Sequence, residues 1–405
     1  MAERRSILRR LGPGLITASV VLGPGSIVSS SRAGAERGYD LLWVMAMASL
    51  FMAVYTSMGA RLGCALGKTS PLQHLPRPLA AIIGFSAFLV CGGFQFGNNI
   101  GVAVAVSNVT STPTWIWPIA FTALSLVFLF TAKHLYVMLE RLMMALVAVM
   151  IVAFFGNLFW TGMSPSGIVS GLVPRLREGN SVVGRAMLAT TFSAVAALYQ
   201  AYLVQAKQWK REDVRMAIGD AWIGIAVLGL ISTVIMIGAA QTLHGSGKDF
   251  ASIGELAQTL RGALGNAAVW VFCAGLAAAS FSSFIVNALV GGGMLADGLG
   301  LDRSFGGPYT KGLTALVMLI GCGVAVATLK FGTGSTTSLL LAQGATLLAA
   351  PLSALLLFVL TSREKTMGDL KNGPVVMALG AIGLVIILWL GFGTAAKLAE
   401  KLLGT

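Results

Sequence analysis

The stretch Val20-Val21-Leu22-Gly23-Pro24-Gly25-Ser26-Ile27-Val28 decides how this chain is read. It lies midway along the first apolar run, between the Arg9–Arg10 pair and the next polar segment, and it holds no carboxylate. Pro24 removes a backbone donor, and a glycine on either side lets the chain leave helical geometry. Backbone carbonyls are then freed where the middle of a bilayer is expected. Lipid tolerates freed carbonyls only where they line a cavity. The combination predicts a transporter with an uncharged ion site.

Composition sets the class. Of 405 residues 56% are hydrophobic and 11% charged, and the mean hydropathy is +0.83, which is outside the range of a soluble domain of this length. About eleven apolar runs approach the length needed to cross a hydrocarbon core of about 30 Å. They fall near 12–34, 41–66, 79–106, 114–132, 138–161, 183–206, 214–242, 266–294, 311–329, 334–361 and 374–396. Loops are short apart from Ser164 to Asn180 and His244 to Gly262, so no soluble domain fits between them. An all-α integral membrane protein is predicted.

The net charge of +13 is explained by topology rather than by nucleic acid. With a cytoplasmic N-terminus, 18 of the 28 Lys and Arg residues fall on the inner side. That excess matches the positive-inside rule and predicts an inner-membrane protein with its C-terminus outside. The basic start lacks a convincing small-residue cleavage site, so the first span reads as retained. Cys64, Cys91, Cys273 and Cys322 sit in or beside spans without metal spacing and read as packed apolar side chains. Many of the 50 glycines lie inside spans, where close helix contact is their ordinary role.

Acids and histidines are placed in loops and at span ends, and Asp220 alone is expected to enter a span noticeably. A proton relay needs titratable groups at depth. What does fall at depth is uncharged: Gln95, Asn98 and Asn99 in the third run, Tyr199, Gln200, Tyr202 and Gln205 in the sixth, and Gln343 in the tenth. Each alone could be interhelical glue worth about 0.6 to 2 kcal/mol. Together with an opened first helix they favour an ion pathway.

The opening Gly12-Pro13-Gly14, the broken helix, "AGAERGYDLLW" from Ala33 to Trp43 and "ARLGCALGK" from Ala60 to Lys68 resemble the NRAMP divalent-metal transporters. The likeness implies a LeuT-like fold of two inverted five-helix repeats, about 12–162 and 183–361, plus an extra helix near 372–397. It implies that the first and sixth spans are discontinuous with the substrate between the breaks. The sixth run has no Pro or Gly from Ser193 to Gln200, so its residues alone mark no break there.

The departures from the family matter as much. Its first break reads Asp-Pro-Gly-Asn, with Asp and Asn on the metal; here those positions are Gly23 and Ser26. Its sixth-span Met-Pro-His falls on Ala197, Leu198 and Tyr199, and its carbonyl-donating Ala on Ala194. Two third-span acids become Gln95 and Asn98, while the tenth-span Gln is kept as Gln343, eight residues before Pro351. The pattern resembles a distant NRAMP branch proposed to carry magnesium. The implied metal site is Gly23, Ser26, Gln95, Asn98, Ala194, Ala197 and Gln343, with Tyr199 and Gln200 beside them.

Chemistry points the same way. A thioether favours softer metals, so its loss admits a hard ion, and Mg²⁺ gives up water reluctantly. The expectation is uncoupled, potential-driven transport of largely hydrated Mg²⁺, with Mn²⁺ also passing, no cofactor and no obligate protein partner. The alternatives are a proton-coupled Mn²⁺ or Fe²⁺ transporter with moved ligands, or an organic-solute carrier of the same fold offering a helix dipole to a carboxylate. An enzyme is disfavoured, since no nucleophile with a base and no paired carboxylates fall at depth.

Overall fold

The structure, a computed structural model, describes residues 12–403 apart from 162, 176–179, 246–252 and 333–334; side chains are described at all of these except 159–161, 180–181, 253–264, 335–348, 394 and 396–403. The Arg9–Arg10 pair lies outside the described residues. Helices are the only extended regular structure among those described, as spans without water require, because a helix satisfies its own backbone.

The first run forms two helices, α1 (Pro13–Val21) and α2 (Pro24–Arg37), bent by 62° across Leu22 and Gly23. Then come α3 (Leu42–Leu66), α4 (Arg77–Thr110), α5 (Ile116–Thr131), α6 (Leu135–Thr161) and the short α7 (Pro165–Gly171). The sixth run also divides, into α8 (Asn180–Thr191) and α9 (Ala194–Ala206). It is followed by α10 (Val214–Leu243), α11 (Ile253–Gly298), α12 (Pro308–Phe331), α13 (Ser335–Ser362), α14 (Glu364–Met367) and α15 (Pro374–Leu403). Gly265 leaves helical geometry inside α11 with φ 81°, so the spanning part begins there.

All eleven apolar runs therefore carry helix. Among the described residues, eight stretches are long and apolar enough to cross a bilayer unaided, and the bent pair α1 and α2 makes nine. The other two runs are the 16-residue α5 and the 28-residue α13.

Helices close on one another where side chains are missing. A Cβ on Gly14 would stand 2.1 Å from the Asp220 carbonyl oxygen, and one on Gly224 would stand 2.3 Å from the Gly14 carbonyl, so α1 and α10 touch backbone to backbone. A Cβ on Gly59 would lie 2.1 Å from the Ala197 oxygen, which seats α9 directly on α3. Such contacts replace the hydrophobic drive that lipid cannot supply. The side chain of Asp220 fixes the start of α1 by accepting the Gly12 and Gly14 amides at 2.8 and 2.6 Å.

The last helix, α15, is peripheral and mostly lipid-facing, held at α3 by the Tyr55 hydroxyl donating to the Gly380 carbonyl at 2.8 Å. Of the four cysteines, Cys64, Cys91 and Cys273 are buried and Cys322 is half-buried.

Candidate functional site

Two broken helices meet at a cavity of about 350 Å³. Its walls come from the α1–α2 break, α4, the α8–α9 break and α11. The polar groups facing it belong to Ser26, Asn98, Thr190, Ser193, Ser283 and Asn287. Cys91 forms part of the wall, but its side chain is packed over Gly291. No carboxylate, imidazole or thioether lines it, and no cluster of three His, Cys, Asp or Glu suited to a metal occurs among the described residues.

Helix polarity decides what each break offers. A helix ends on unpaired carbonyls and begins on unpaired N–H groups. At the first break the carbonyls therefore come from the end of α1. Val20 accepts the Ser283 hydroxyl at 2.9 Å, and Val21 accepts the Ser26 hydroxyl. Val21 also accepts the Gly23 amide at 2.9 Å, so of the two it is Val20 that keeps a second lone pair. Gly23 lines the cavity, but its own carbonyl accepts the Ile27 amide at 3.2 Å and opens the ladder of α2.

The sixth span breaks at Phe192 and Ser193 without Pro or Gly. Ser193 is the N-cap of α9, its hydroxyl accepting the Ala196 amide at 3.3 Å. Carbonyls here come from α8: the Thr190 oxygen lies 3.3 Å from the Ser26 hydroxyl, and the Thr190 and Ser29 hydroxyls are 2.8 Å apart. These contacts join α2 to α8 on one side of the cavity.

The expected site residues divide accordingly. Gly23, Ser26 and Asn98 line the cavity. Ala194 and Ala197 do not. They stand in the first turns of α9, where carbonyls enter the helical ladder, and the Ala197 oxygen faces Gly59; Ser193 and Ala196 take their place. Gln95 is fully buried behind the wall, its Oε1 contacted by the Asn98 and Asn287 amides at 3.5 and 3.2 Å. Gln200 is equally buried and accepts the Thr17 hydroxyl at 2.5 Å, tying α9 to α1. The side chain of Gln343, on α13, lies outside the described residues.

Tyr199 faces a second cavity of about 800 Å³. One turn of α9 separates the two spaces, since Ala196 lines the first and Tyr199 the second. Lys68, Lys210, Asp302 and Arg303 line this vestibule. The Tyr199 ring stacks on Tyr202 at 5.2 Å, and the Tyr202 hydroxyl donates to Asp297 at 2.7 Å. Asp297 also accepts the Ser70 hydroxyl at 2.7 Å and lies 3.7 Å from Arg303, which donates to Gln205 at 3.0 Å. Asp297 lies in the last turn of α11 and is 4% exposed, so Asp220 is not the only carboxylate drawn into a span.

Sequence reasoning missed Thr190, Ser193, Ser283 and Asn287. Asn287 and the serines at 280, 282 and 283 were visible as polar residues inside an apolar run.

A family model described as natural resistance-associated macrophage protein-like matches residues 14–396. The chain is 27% identical over 397 residues to the divalent metal cation transporter MntH of Deinococcus radiodurans, covering 95% of this chain and 88% of that one. It is 26% identical over 390 residues to the protein of the same name in Mycobacterium tuberculosis, covering 93% and 89%. The structure resembles that of a manganese transporter of Eremococcus coleocola with a TM-score of 0.85 at 18% identity, covering 100% of this chain and 90% of that one. It also resembles MhsT solved with L-phenylalanine, with a TM-score of 0.63 at 16% identity, covering 97% and 99%. The two likenesses place the architecture among LeuT-like folds.

Proposed function

The chain belongs to the natural resistance-associated macrophage protein-like (Nramp) family, and from that premise we propose that it is a divalent-cation transporter whose cargo is Mg²⁺, carried with most of its water shell and without proton coupling. Family membership makes it a multi-pass membrane metal transporter and not an enzyme. The divalent metal named for the curated relatives supports the cargo class.

The observation that carries the magnesium reading is the polar part of the cavity wall: amides, hydroxyls and backbone carbonyls set among apolar side chains, with no charged, imidazole or thioether group among the described residues. Such groups accept hydrogen bonds from coordinated water. They do not compete with it as carboxylate or sulfur would. An octahedral shell of six waters occupies about 180 Å³ at the density of the liquid, and the cavity of about 350 Å³ has room for it. Mn²⁺, also divalent and close in size, is a second cargo of the same site.

The driving force follows. A divalent ion crossing an inward-negative potential of about 100 mV gains about 4.6 kcal/mol, more than three decades of concentration ratio. On this reading 12–162 and 183–361 form the paired repeats, and the vestibule bearing Lys68, Lys210 and Arg303 opens to the cytoplasm. Proteoliposomes holding a Mg²⁺ indicator and a pH dye, under a potassium-set potential, test the proposal. Saturable Mg²⁺ entry with a silent pH trace is expected. Acid-linked Mn²⁺ entry without Mg²⁺ entry overturns it.

A further inference from the structure

Behind the cavity wall lies a chain of amides whose orientation is fixed from one end. Asn287, on α11 and 3% exposed, places Nδ2 2.7 Å from the backbone oxygen of Cys91 and 3.2 Å from Oε1 of Gln95. A backbone carbonyl has lone pairs only, so the Asn287 atom facing it must be the NH₂ group. Its second hydrogen requires an acceptor, which sets Gln95 with Oε1 inward. Asn98 faces that same oxygen at 3.5 Å and so must also turn its NH₂ toward it.

The consequence is at the surface of the cavity. With both NH₂ groups held from behind, Asn98 and Asn287 present Oδ1. The Asn98 Oδ1 stands 3.2 Å from where a Cβ on Gly23 would sit, directly over the first break. Gln95 makes this arrangement at its own expense: its Nε2 is buried with no partner among the described residues. Reversing Gln95 would set three NH₂ groups against one another.

We propose that Asn287 is a cation-site residue, and that Gln95 is a positioning residue which holds the oxygens of Asn98 and Asn287 toward the water shell of a divalent cation. The inference rests on the reading of this cavity as the cation site. Oxygen-out amides accept from coordinated water, whose hydrogens point away from the metal; amides turned the other way would meet those hydrogens with their own. Gln95 thus acts on the ion without lining the cavity.

The test is the KM for Mg²⁺ and for Mn²⁺ in proteoliposomes, with melting temperature as a check on folding. Asn287→Leu is expected to raise KM about 3- to 10-fold, the effect of one or two hydrogen bonds. Gln95→Leu is expected to raise it by a similar factor, with maximal rate and melting temperature little changed. Gln95→Glu keeps acceptor oxygens behind both asparagines and returns KM to the wild-type value or below, which a mere packing role does not predict. If Asn287→Leu does not fold, Asn287→Ser, too short to reach Cys91, replaces it.

A KM within twofold of wild type in Asn287→Leu and Gln95→Leu overturns the proposal, as does failure of Gln95→Glu to rescue. Wild-type protein that carries Mn²⁺ but not Mg²⁺ refutes the magnesium reading alone, and the amide comparison is then read on Mn²⁺. Uptake of neither ion overturns both.

Discussion

The two cavities on either side of Tyr199 are built from opposite chemistry. The central one is lined by no charged side chain among the described residues, and its polar groups are amide, hydroxyl and carbonyl set among apolar side chains. The vestibule carries Lys68, Lys210, Arg303 and Asp302, and is strapped by the Tyr202, Asp297, Ser70 and Arg303 contacts. On the proposed reading, recognition falls to the central cavity and closure to the vestibule. Charge is kept out of the lining of the central cavity, and the strong charge-assisted bonds hold the vestibule elements together. Strong ligands in the central cavity would strip a hydrated ion and hold it, whereas weak oxygen acceptors let it leave.

The sharpest way to break this contrast is to fill the neutral side. A Cβ on Gly23 would stand 2.9 Å from the Ser283 hydroxyl and 3.2 Å from Asn98 Oδ1, so Gly23→Val intrudes on both. Near-complete loss of uptake with the protein still folded is expected, measured as initial ion flux. Next in size is the strap. Tyr202→Phe removes a donor from buried Asp297, a charge-assisted bond of about 1.5 to 3 kcal/mol, and shifts vestibule opening by about tenfold or more. Faster hydrogen exchange at the Ser70 segment and at the end of α11 reports it. Ser193→Ala removes the cap of α9 and lowers stability by about 1 kcal/mol, read from thermal unfolding in detergent.

The smallest expected effect is that of pH. Asp302 is held below the usual carboxylate range first by the Ser304 backbone amide and then by its hydroxyl, Glu364 by a hydrogen bond from Lys371, and Asp369 by one from Arg211. A lowered folded value means that what these pairs contribute is present above the unfolded value of about 4 and lost only as pH falls through the lower folded one. No described carboxylate or imidazole lines the central cavity. Uptake measured from about pH 6 to 8 is therefore expected to stay flat.

What could be read beforehand follows the same physics. The first break was legible because Pro24 and its glycines cannot continue a helix. The sixth was not, because Phe192 and Ser193 break the helix with a serine cap that also occurs in ordinary loops. That the carbonyls of Ala194 and Ala197 enter the ladder of α9 was not legible, because helix direction, which a residue pattern does not display, puts N–H groups at that end. Gln95 and Asn98 are three residues apart on one face of α4, and only packing against α11 puts Asn98 at the cavity and Gln95 behind it. Asn287 carried no motif at all. Its partner is a backbone oxygen on another helix.

The most direct test of the central claim, a neutral site that moves a hydrated divalent ion alone, is the reversal potential of Mg²⁺ flux in proteoliposomes with and without an imposed pH gradient. The account predicts a reversal set by the Mg²⁺ ratio only, about 30 mV for each tenfold difference as for any two-charge process, and unmoved by pH. A reversal potential that shifts with the pH gradient contradicts it.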